Sequence, residues 1–316
     1  MKTKKSSLWV EKYRFDDLDE IVLTDANYEY FHNLLRVKKD IPHILFSGTA
    51  GIGKTLLGKI CAAELDCDFL YINASLEKGI DLVRDKITTF ASTSSTNIFS
   101  ESSVKKIIFL DEAERLVTAQ DALKVFLEQY EHNCRFILAT NNISKIIDPL
   151  RNRCQEIQLI PSIPEERSKY AIKCLNLLKK ILDNEKVTYD NKALVELVKR
   201  YFPSLRKCIS ILQQFTNTYG DSIDDRILNL SIGLSDDLIK AIKAKDILKL
   251  RKIASNTDSN QFFRDFYENF DKYILDKDYI RCSLIIGKYT YQDSNCVDAE
   301  INLFTCFVEL LGLELR

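Results

Sequence analysis

The chain has 316 residues, 46% hydrophobic and 29% charged, with a formal net charge of −1. That length holds two or three domains with cores of their own. The near-zero charge excludes a protein that coats nucleic acid by bulk attraction, so any DNA contact has to come from a local patch.

Taken in chain order, five short apolar runs predict strands of a parallel sheet: "HILFSG" from His43, "DFLYINA" from Asp68, "KKIIFLDE" from Lys105, "RFILATNN" from Arg135 and "QEIQLI" from Gln155. Segments of helical spacing separate them, notably "AQDALKVFLEQYE" from Ala119. Alternating strands and helices define an α/β layered domain. The serine- and threonine-rich piece from Ala91 to Ser103 reads as an exposed loop. "IPSIPEER", at Ile160–Arg167, ends the alternation, and Pro164 with two acids opens a helix. Helices are expected at 165–182, 190–200 and 204–217. After a second boundary near "YGDSIDDRILNLSIG" they are expected at 235–244, 246–255, 260–274, 276–288 and 297–312. The last is apolar on most faces and calls for burial on several sides, in its own core or in a subunit interface.

Nine cysteines without a C-x-x-C pair, beside three histidines, give no zinc spacing and fit reduced thiols. The N-terminal "MKTKKSSLWVEKYR" has lysines but no apolar core, so it does not read as a signal peptide. No run approaches a membrane span.

"GTAGIGKT", Gly48–Thr55, has the spacing G-x-x-x-x-G-K-T of a phosphate-binding loop. Gly48, Gly51 and Gly53 permit backbone angles that aim successive N–H groups at phosphate oxygens. Lys54 is placed to reach the β and γ phosphates, Thr55 to hold Mg²⁺, and the following helix to present its positive end to the anion. The apolar run before the loop and the helical segment after it are the context the motif needs. A second signal is "KKIIFLDEAE": a buried strand ending in Asp111, suited to the metal's water shell, and Glu112, suited to orienting and polarising an attacking water. Asn141 and Asn142 end the fourth strand, where ligands bind in such sheets. On spacing alone, however, a turn preference explains both. Arg151, Arg153, Arg206 and Lys207 are cations among which the residues themselves do not choose.

Together, "LWVEKYR", "IPHILFSGTAGIGKT", "IIFLDEAE", "AQDALKVFLE", "ATNNISKIIDPLRNRC" and "FPSLRKCI" resemble a sliding-clamp-loader ATPase subunit of the AAA+ superfamily. They are similar to the small subunits of replication factor C, and most similar to the ATPase subunit of T4-type phage loaders. The likeness is strong over residues 8–209 and rests on length and helicity beyond. It implies a P-loop AAA+ domain over 1–161, a helical lid over 162–230 and an all-α collar over 231–316. It implies ATP and Mg²⁺ as cofactors. Nucleotide would be bound by Val10, Glu11, Lys12, Tyr13, Val22, Gly48, Gly51, Ile52, Gly53, Lys54, Thr55, Leu56 and Arg206, and metal by Thr55 and Asp111. Asn141 matches the first sensor, Arg153 the finger that reaches a neighbour's nucleotide, and Arg206 the second sensor on the lid. With Glu112, Asp111 and Lys54 these make the catalytic set. Gln120 matches a residue coupling DNA contact to the ATP sites, and Lys78 and Arg84 fall in the family's DNA-facing region. Phe15 stands where the family has proline, and Asn152 where it has serine before the finger.

The implied activity is ATP hydrolysis stimulated by DNA and clamp, driving clamp opening and loading on primer–template DNA during replication. The implied partners are the clamp, the DNA, further copies of the chain and one different subunit in a heteropentamer, with no membrane. The implied place is the cytoplasm, a host's if the protein is viral. The rivals are another AAA+ motor (a helicase loader or branch-migration ATPase) and a non-catalytic ring scaffold.

Overall fold

All five apolar runs fold as parallel strands of one sheet: β1 (Ile44–Ser47), β2 (Asp68–Asn73), β3 (Lys106–Asp111), β4 (Cys134–Thr140) and β5 (Gln155–Gln158), in the order β2-β3-β4-β1-β5. The computed structural model describes residues 6–76, 80–93, 106–116, 119–227, 238–255, 270–293 and 298–315, with 257, 259, 262, 263, 266, 267 and 296. Lys106 through Leu110 are all buried, as a strand covered on both faces requires. The register brings Asn73 beside Asp111 and Ser47 beside Thr140, so the polar strand ends line up along one edge.

Helices α1 (Trp9–Lys12), α2 (Asp25–His32), α3 (Lys54–Glu64), α4 (Ile80–Ser92), α5 (Gln120–Gln129) and α6 (Asp148–Arg151) accompany the sheet. Thr24 caps α2 by accepting from the Asn27 N–H, a contact of about 1 kcal/mol. α2 runs on into a π-helical turn, Asn33–Lys38, that ends at Lys39 in the left-handed region. One face of the sheet packs Ile72, Ile108, Leu110 and Leu138 against Val83, Ile87 and Ala91 of α4 and Leu123 and Leu127 of α5.

The loop expected to start at Ala91 starts later. Val83, Ile87 and Ala91 recur every four residues and are buried, which carries α4 through Ser92. Residues 94–103 of that loop lie outside the described residues. Lys106 fixes the helix end: buried at the start of β3, its ammonium donates to the carbonyls of Phe90 (2.6 Å) and Thr93. Carbonyls left open by the last turn thereby gain a charged donor.

The expected helices at 165–182, 190–200 and 204–217 are α7 (Pro164–Glu185), α8 (Asn191–Tyr201) and α9 (Leu205–Tyr219). Pro164 stands in the first turn of α7 with Glu165 and Glu166, where a missing N–H costs nothing and negative charge is favoured. A two-residue parallel pair, β6 (Thr188–Tyr189) with β7 (Ser222–Ile223), ties the start of α8 to the end of α9. Two residues carry no period, so the sequence gives no sign of it. Contacts group Met1–Ile227, sheet and α7–α9 together, into one compact unit and Leu228–Arg316 into a second.

The second unit is helical at 238–243, 262–263 and 266–267, at Ile247–Ser255, Tyr279–Asp293 and Ala299–Leu310. The helix expected over 260–274 gives way to a 3-10 turn, Phe270–Lys272, and then to an antiparallel bridge between Ile274 and Leu315. The one expected from 276 opens as a 3-10 turn, Asp276–Asp278, and its α-helix runs on to Asp293. Asp298 caps the last helix by accepting from the N–H groups of Glu300 and Ile301. Leu303, Cys306, Phe307 and Leu310 bury one face of it against Phe262, Phe266 and Ile286, while Ile301 and Val308 stay exposed. Among the described residues no helix is long and apolar enough to cross a membrane.

Candidate active site

β1 ends at Ser47, and the chain turns through Gly48–Gly53 into α3. Gly51 and Gly53 hold φ at +83° and +99°, angles open to glycine and strained for other residues. Gly53 is the residue before α3, so the turn delivers Lys54 and Thr55 to the positive end of the helix. Lys54 is buried. Its ammonium donates to the carbonyls of Gly48 (2.6 Å) and Thr49 (2.9 Å) and to Asn141 Oδ1 (2.8 Å). Burial pushes its pKa down to about 8 against the pull of Asp111, Glu114 and Glu112.

Asp111 closes β3 opposite this helix end. Its Oδ2 accepts from Thr55 Oγ1 (2.7 Å) and from the Tyr71 hydroxyl (3.1 Å), and its Oδ1 from the Glu112 N–H (3.0 Å). Burial and this carboxylate raise the Tyr71 phenol above its ordinary value. Glu112 sits at φ +52° with its carboxylate 2.5 Å from Arg115 Nε, which sets its side chain at the cleft. Asn141 and Asn142 separate cleanly. Asn142 accepts from the Ser144 N–H and makes the turn, whereas Asn141 faces Lys54 and donates through its N–H and Nδ2 to Glu114 Oε1 at 3.1 and 3.2 Å.

These groups border a cleft of about 380 Å³ with two unlike ends. The polar end is Gly51, Gly53, Lys54, Thr55, Asn73, Asp111, Glu112 and Asn141. The apolar end is built by Val10, Tyr13, Phe15, Ile21 and Val22 from the N-terminal segment and by Tyr170, Leu205 and Ile209 from α7 and α9. Ile52, Leu56, Glu11 and Arg206 also line it. Arg206 reaches it from the first turn of α9. A Cβ on Gly51 would lie 2.6 Å from Ser204 Oγ and 3.4 Å from Arg206 Cβ, so α9 closes directly on the loop. The Thr49 hydroxyl and Glu114 Oε2 are buried without a hydrogen-bond partner among the described residues. A glycine-walled turn at a helix N-terminus, a lysine held beside it, a hydroxyl–carboxylate pair and an apolar far end fit a nucleoside triphosphate with its divalent cation.

The other residues singled out in the sequence stand elsewhere. Gly48 contributes its carbonyl to Lys54 and does not border the cleft. Lys12 turns away to Glu185 at 2.6 Å. Gln120 is buried, donating to Lys145 O (3.0 Å) and accepting from the Ile147 N–H (2.8 Å), which links the start of α5 to the turn after Asn141. Arg153, just after α6, donates to Glu128 (2.7 Å through Nε) and Pro149 O (2.8 Å) and is not part of its own chain's cleft. Arg151 pairs with Glu156. Arg84 is exposed on α4, and Lys78 lies outside the described residues. Sequence reasoning missed Tyr71, Asn73, Tyr170, Leu205 and Ile209. Asn73 had a signal: it ends "DFLYIN", a strand pointing at the ligand edge. Tyr170 and Ile209 had none, being ordinary apolar positions of helices.

Fold and site define a P-loop ATPase, and a model described as "ATPase family associated with various cellular activities (AAA)" matches residues 44–162. Among curated proteins the chain is 31% identical to the sliding-clamp-loader large subunit of Enterobacteria phage T4, over 97% of this chain and 96% of that one. It is 34% identical to the same subunit of Escherichia phage RB69, over 79% and 78%. It is 37% identical to the replication factor C small subunit of Saccharolobus solfataricus, over 70% and 65%. Among solved structures, the Thermotoga maritima RuvB Holliday junction branch migration motor aligns with a TM-score of 0.53 at 19% identity, over 78% of this chain and 85% of that one. That last likeness is one of fold. The chain belongs to the sliding-clamp-loader ATPase subunits, the family that includes the replication factor C small subunits.

Proposed function

We propose that this clamp-loader ATPase subunit binds ATP with Mg²⁺ in the cleft and hydrolyses it under the control of DNA and clamp. The observation that carries the reading is the convergence on one cleft of Lys54, Thr55, Asp111, Glu112, Asn141 and Arg206, drawn from four separate segments of the chain. Lys54, the loop N–H groups and Arg206 bind the phosphates; Thr55 and Asp111 would hold the metal. A bound Mg²⁺ supplies neutralisation of charge on the phosphate oxygens. The Glu112 carboxylate orients a water and takes its proton. Asn141, held by Glu114, keeps its Oδ1 on the lysine until phosphate displaces it, which makes it a reporter of the terminal phosphate. Arg153, turned from its own cleft, serves the site of a neighbouring copy, so turnover belongs to the assembly.

In that assembly several copies stand with one different subunit as a heteropentamer, whose companion contacts come from the C-terminal unit acting as a collar and whose place is the cytoplasm. The assembly opens a sliding clamp and closes it on primer–template DNA. Gln120 relays DNA contact from α5 to the Asn141 turn, Arg84, exposed on α4, meets the DNA phosphates, and Lys78 is assigned to the same contact from family likeness alone. Those contacts weaken as salt rises.

The test is steady-state ATPase of the chain assembled with its companion, with and without primer–template DNA and clamp. A rate raised by DNA and raised further by clamp is the expected result. Hydrolysis indifferent to any clamp would overturn the loader mechanism and leave another AAA-type motor.

A further inference from the structure

The N-terminal segment that walls the base-facing end of the cleft meets the sheet through α2, where Asn27 donates to Gln158 O (3.0 Å), and meets α7 and α9 through side chains nearer the cleft. Three ties join it to those two helices. Glu185, at the last turn of α7, accepts through one oxygen from Lys12 Nζ (2.6 Å) and from the Tyr13 hydroxyl (2.5 Å). Gln213 of α9 accepts from the Trp9 N–H (2.9 Å) and donates to Ser7 O (2.6 Å), pairing with the backbone as a strand neighbour would. Lys173 of α7 donates to Leu23 O (2.9 Å) and Asp25 (2.6 Å). Of these, only the Glu185 tie grips a side chain that itself borders the cleft. Tyr13 is 2% exposed; it lines the cleft and its hydroxyl donates to Glu185. The Lys12 ammonium also lies 5.5 Å from the centre of the Tyr13 ring. Glu185 is 21 residues past the start of its helix (Pro164–Glu185), and its backbone is nowhere in the cleft.

We propose that Glu185 is a positioning residue for the nucleotide's base: by holding Lys12 and Tyr13 it sets the wall against which the base packs and makes that wall move with the lid. The proposal rests on the nucleotide reading of the cleft. Its physical content is an entropic one. A tyrosine ring already fixed at both ends loses little freedom when a base packs on it, so the fixed wall binds more tightly than a loose one. The carboxylate suits this role because a charge-assisted contact to lysine and a short contact to a phenol share one acceptor, and both outlast a neutral hydrogen bond. The same logic reassigns Lys12. Its charge is directed at the lid and not at phosphate, so its contribution to binding is indirect.

The test compares ATP with inorganic triphosphate, which offers the phosphates without a base, by calorimetric titration of the full chain. Glu185→Ala is expected to weaken ATP about tenfold and to leave inorganic triphosphate within about twofold. Tyr13→Phe keeps the ring and removes the hydroxyl, and is expected to weaken ATP alone by about threefold. Combining the two adds little to Glu185→Ala, because both cut one contact. Equal loss of both ligands in Glu185→Ala and in Tyr13→Phe, or no loss of ATP in either, would overturn the positioning role. A wild-type chain that binds neither ligand would instead overturn the nucleotide reading beneath it.

Discussion

The two ends of the cleft are built on opposite principles. The phosphate end comes mainly from strand termini and one helix start anchored on the sheet's backbone ladder, with Arg206 added from α9, and its polar side chains pair with one another: Thr55 with Asp111, Lys54 with Asn141, Asn141 with Glu114. The base end comes from a segment before the first strand and from two helices after the last, and it is held by side chains such as Glu185, Gln213 and Lys173. A ladder-held site keeps its geometry when a single side chain is lost. A side-chain-held one does not. The phosphate end is therefore the one suited to chemistry, while the base end is the part that would loosen with any shift of α7 or α9.

The largest effects test the phosphate end. Glu112→Gln removes the proton acceptor and keeps the shape. Turnover of the assembled loader is expected to fall by about 10²–10³ with ATP still bound, which single-turnover hydrolysis beside a filter-binding measurement would read. Arg153→Ala is expected to leave each chain's ATP affinity unchanged and to lower stimulated turnover by roughly 10³ or more, as the proposed role of its guanidinium at a neighbour's site requires. Mixing Arg153→Ala and Glu112→Gln chains sharpens the point: only interfaces that pair an intact finger with an intact acid should turn over. Equal stimulated rates in wild type and Arg153→Ala would mean that this arginine serves only Glu128.

A smaller effect is expected where the two ends meet. Gly51→Ala adds a Cβ at a φ of +83° that would lie 2.6 Å from Ser204 Oγ, just before α9. The strain is of order 1–3 kcal/mol, so ATP should bind about tenfold or more weakly, with the apparent melting temperature of the apo chain also lowered. Ser204→Gly in the same chain relieves the contact but not the backbone angle. Recovery of only part of the affinity is the expected outcome, and full recovery would show that the contact alone mattered.

How much could be read beforehand follows the same division. Runs such as "IIFL" announce a strand buried on both faces, and Gly48–Thr55 lies in one contiguous motif, so the sheet and the phosphate end were legible. Spacing did not choose between Asn141 and Asn142, because both suit a turn; family likeness pointed to Asn141, and it is Asn141 whose Oδ1 lies 2.8 Å from the Lys54 ammonium. The base end was legible only through family likeness at Val10–Tyr13 and Val22. Tyr170 and Ile209 reach it as buried helix positions indistinguishable from their core neighbours. Glu185 meets Tyr13 across 172 residues, a pairing that no local spacing encodes. The buried Lys106 was hidden for the opposite reason: it begins a strand where a solvent-facing lysine would be ordinary, and only the end of α4 explains its burial.

The smallest effect, a pH dependence, separates the two ends without any mutation. Burial holds Lys54 near pKa 8, below the ordinary lysine value of roughly 10.4. Below about pH 8 the ammonium is charged in the folded and unfolded chain alike, and its desolvation counts in full against folding. Between about 8 and 10.4 the folded chain has released a proton that the unfolded chain keeps. The unfolded state then binds more protons, so this residue makes the apo chain more stable as pH rises through that window. Phosphate binding has the opposite sign, because it needs the charged form. ATP affinity is expected to fall about threefold between about pH 7.5 and 8.5, with protons taken up on binding. Measuring binding heats in buffers of different ionisation enthalpy would detect that uptake, and Lys54→Met should abolish both trends. Since the base end is apolar, the fall belongs to the phosphates alone. ATP should therefore show the same pH slope in wild type and in Glu185→Ala, even as that substitution weakens ATP throughout. A slope changed by Glu185→Ala would mean that the ends of the cleft are coupled through Lys54 and are not separable.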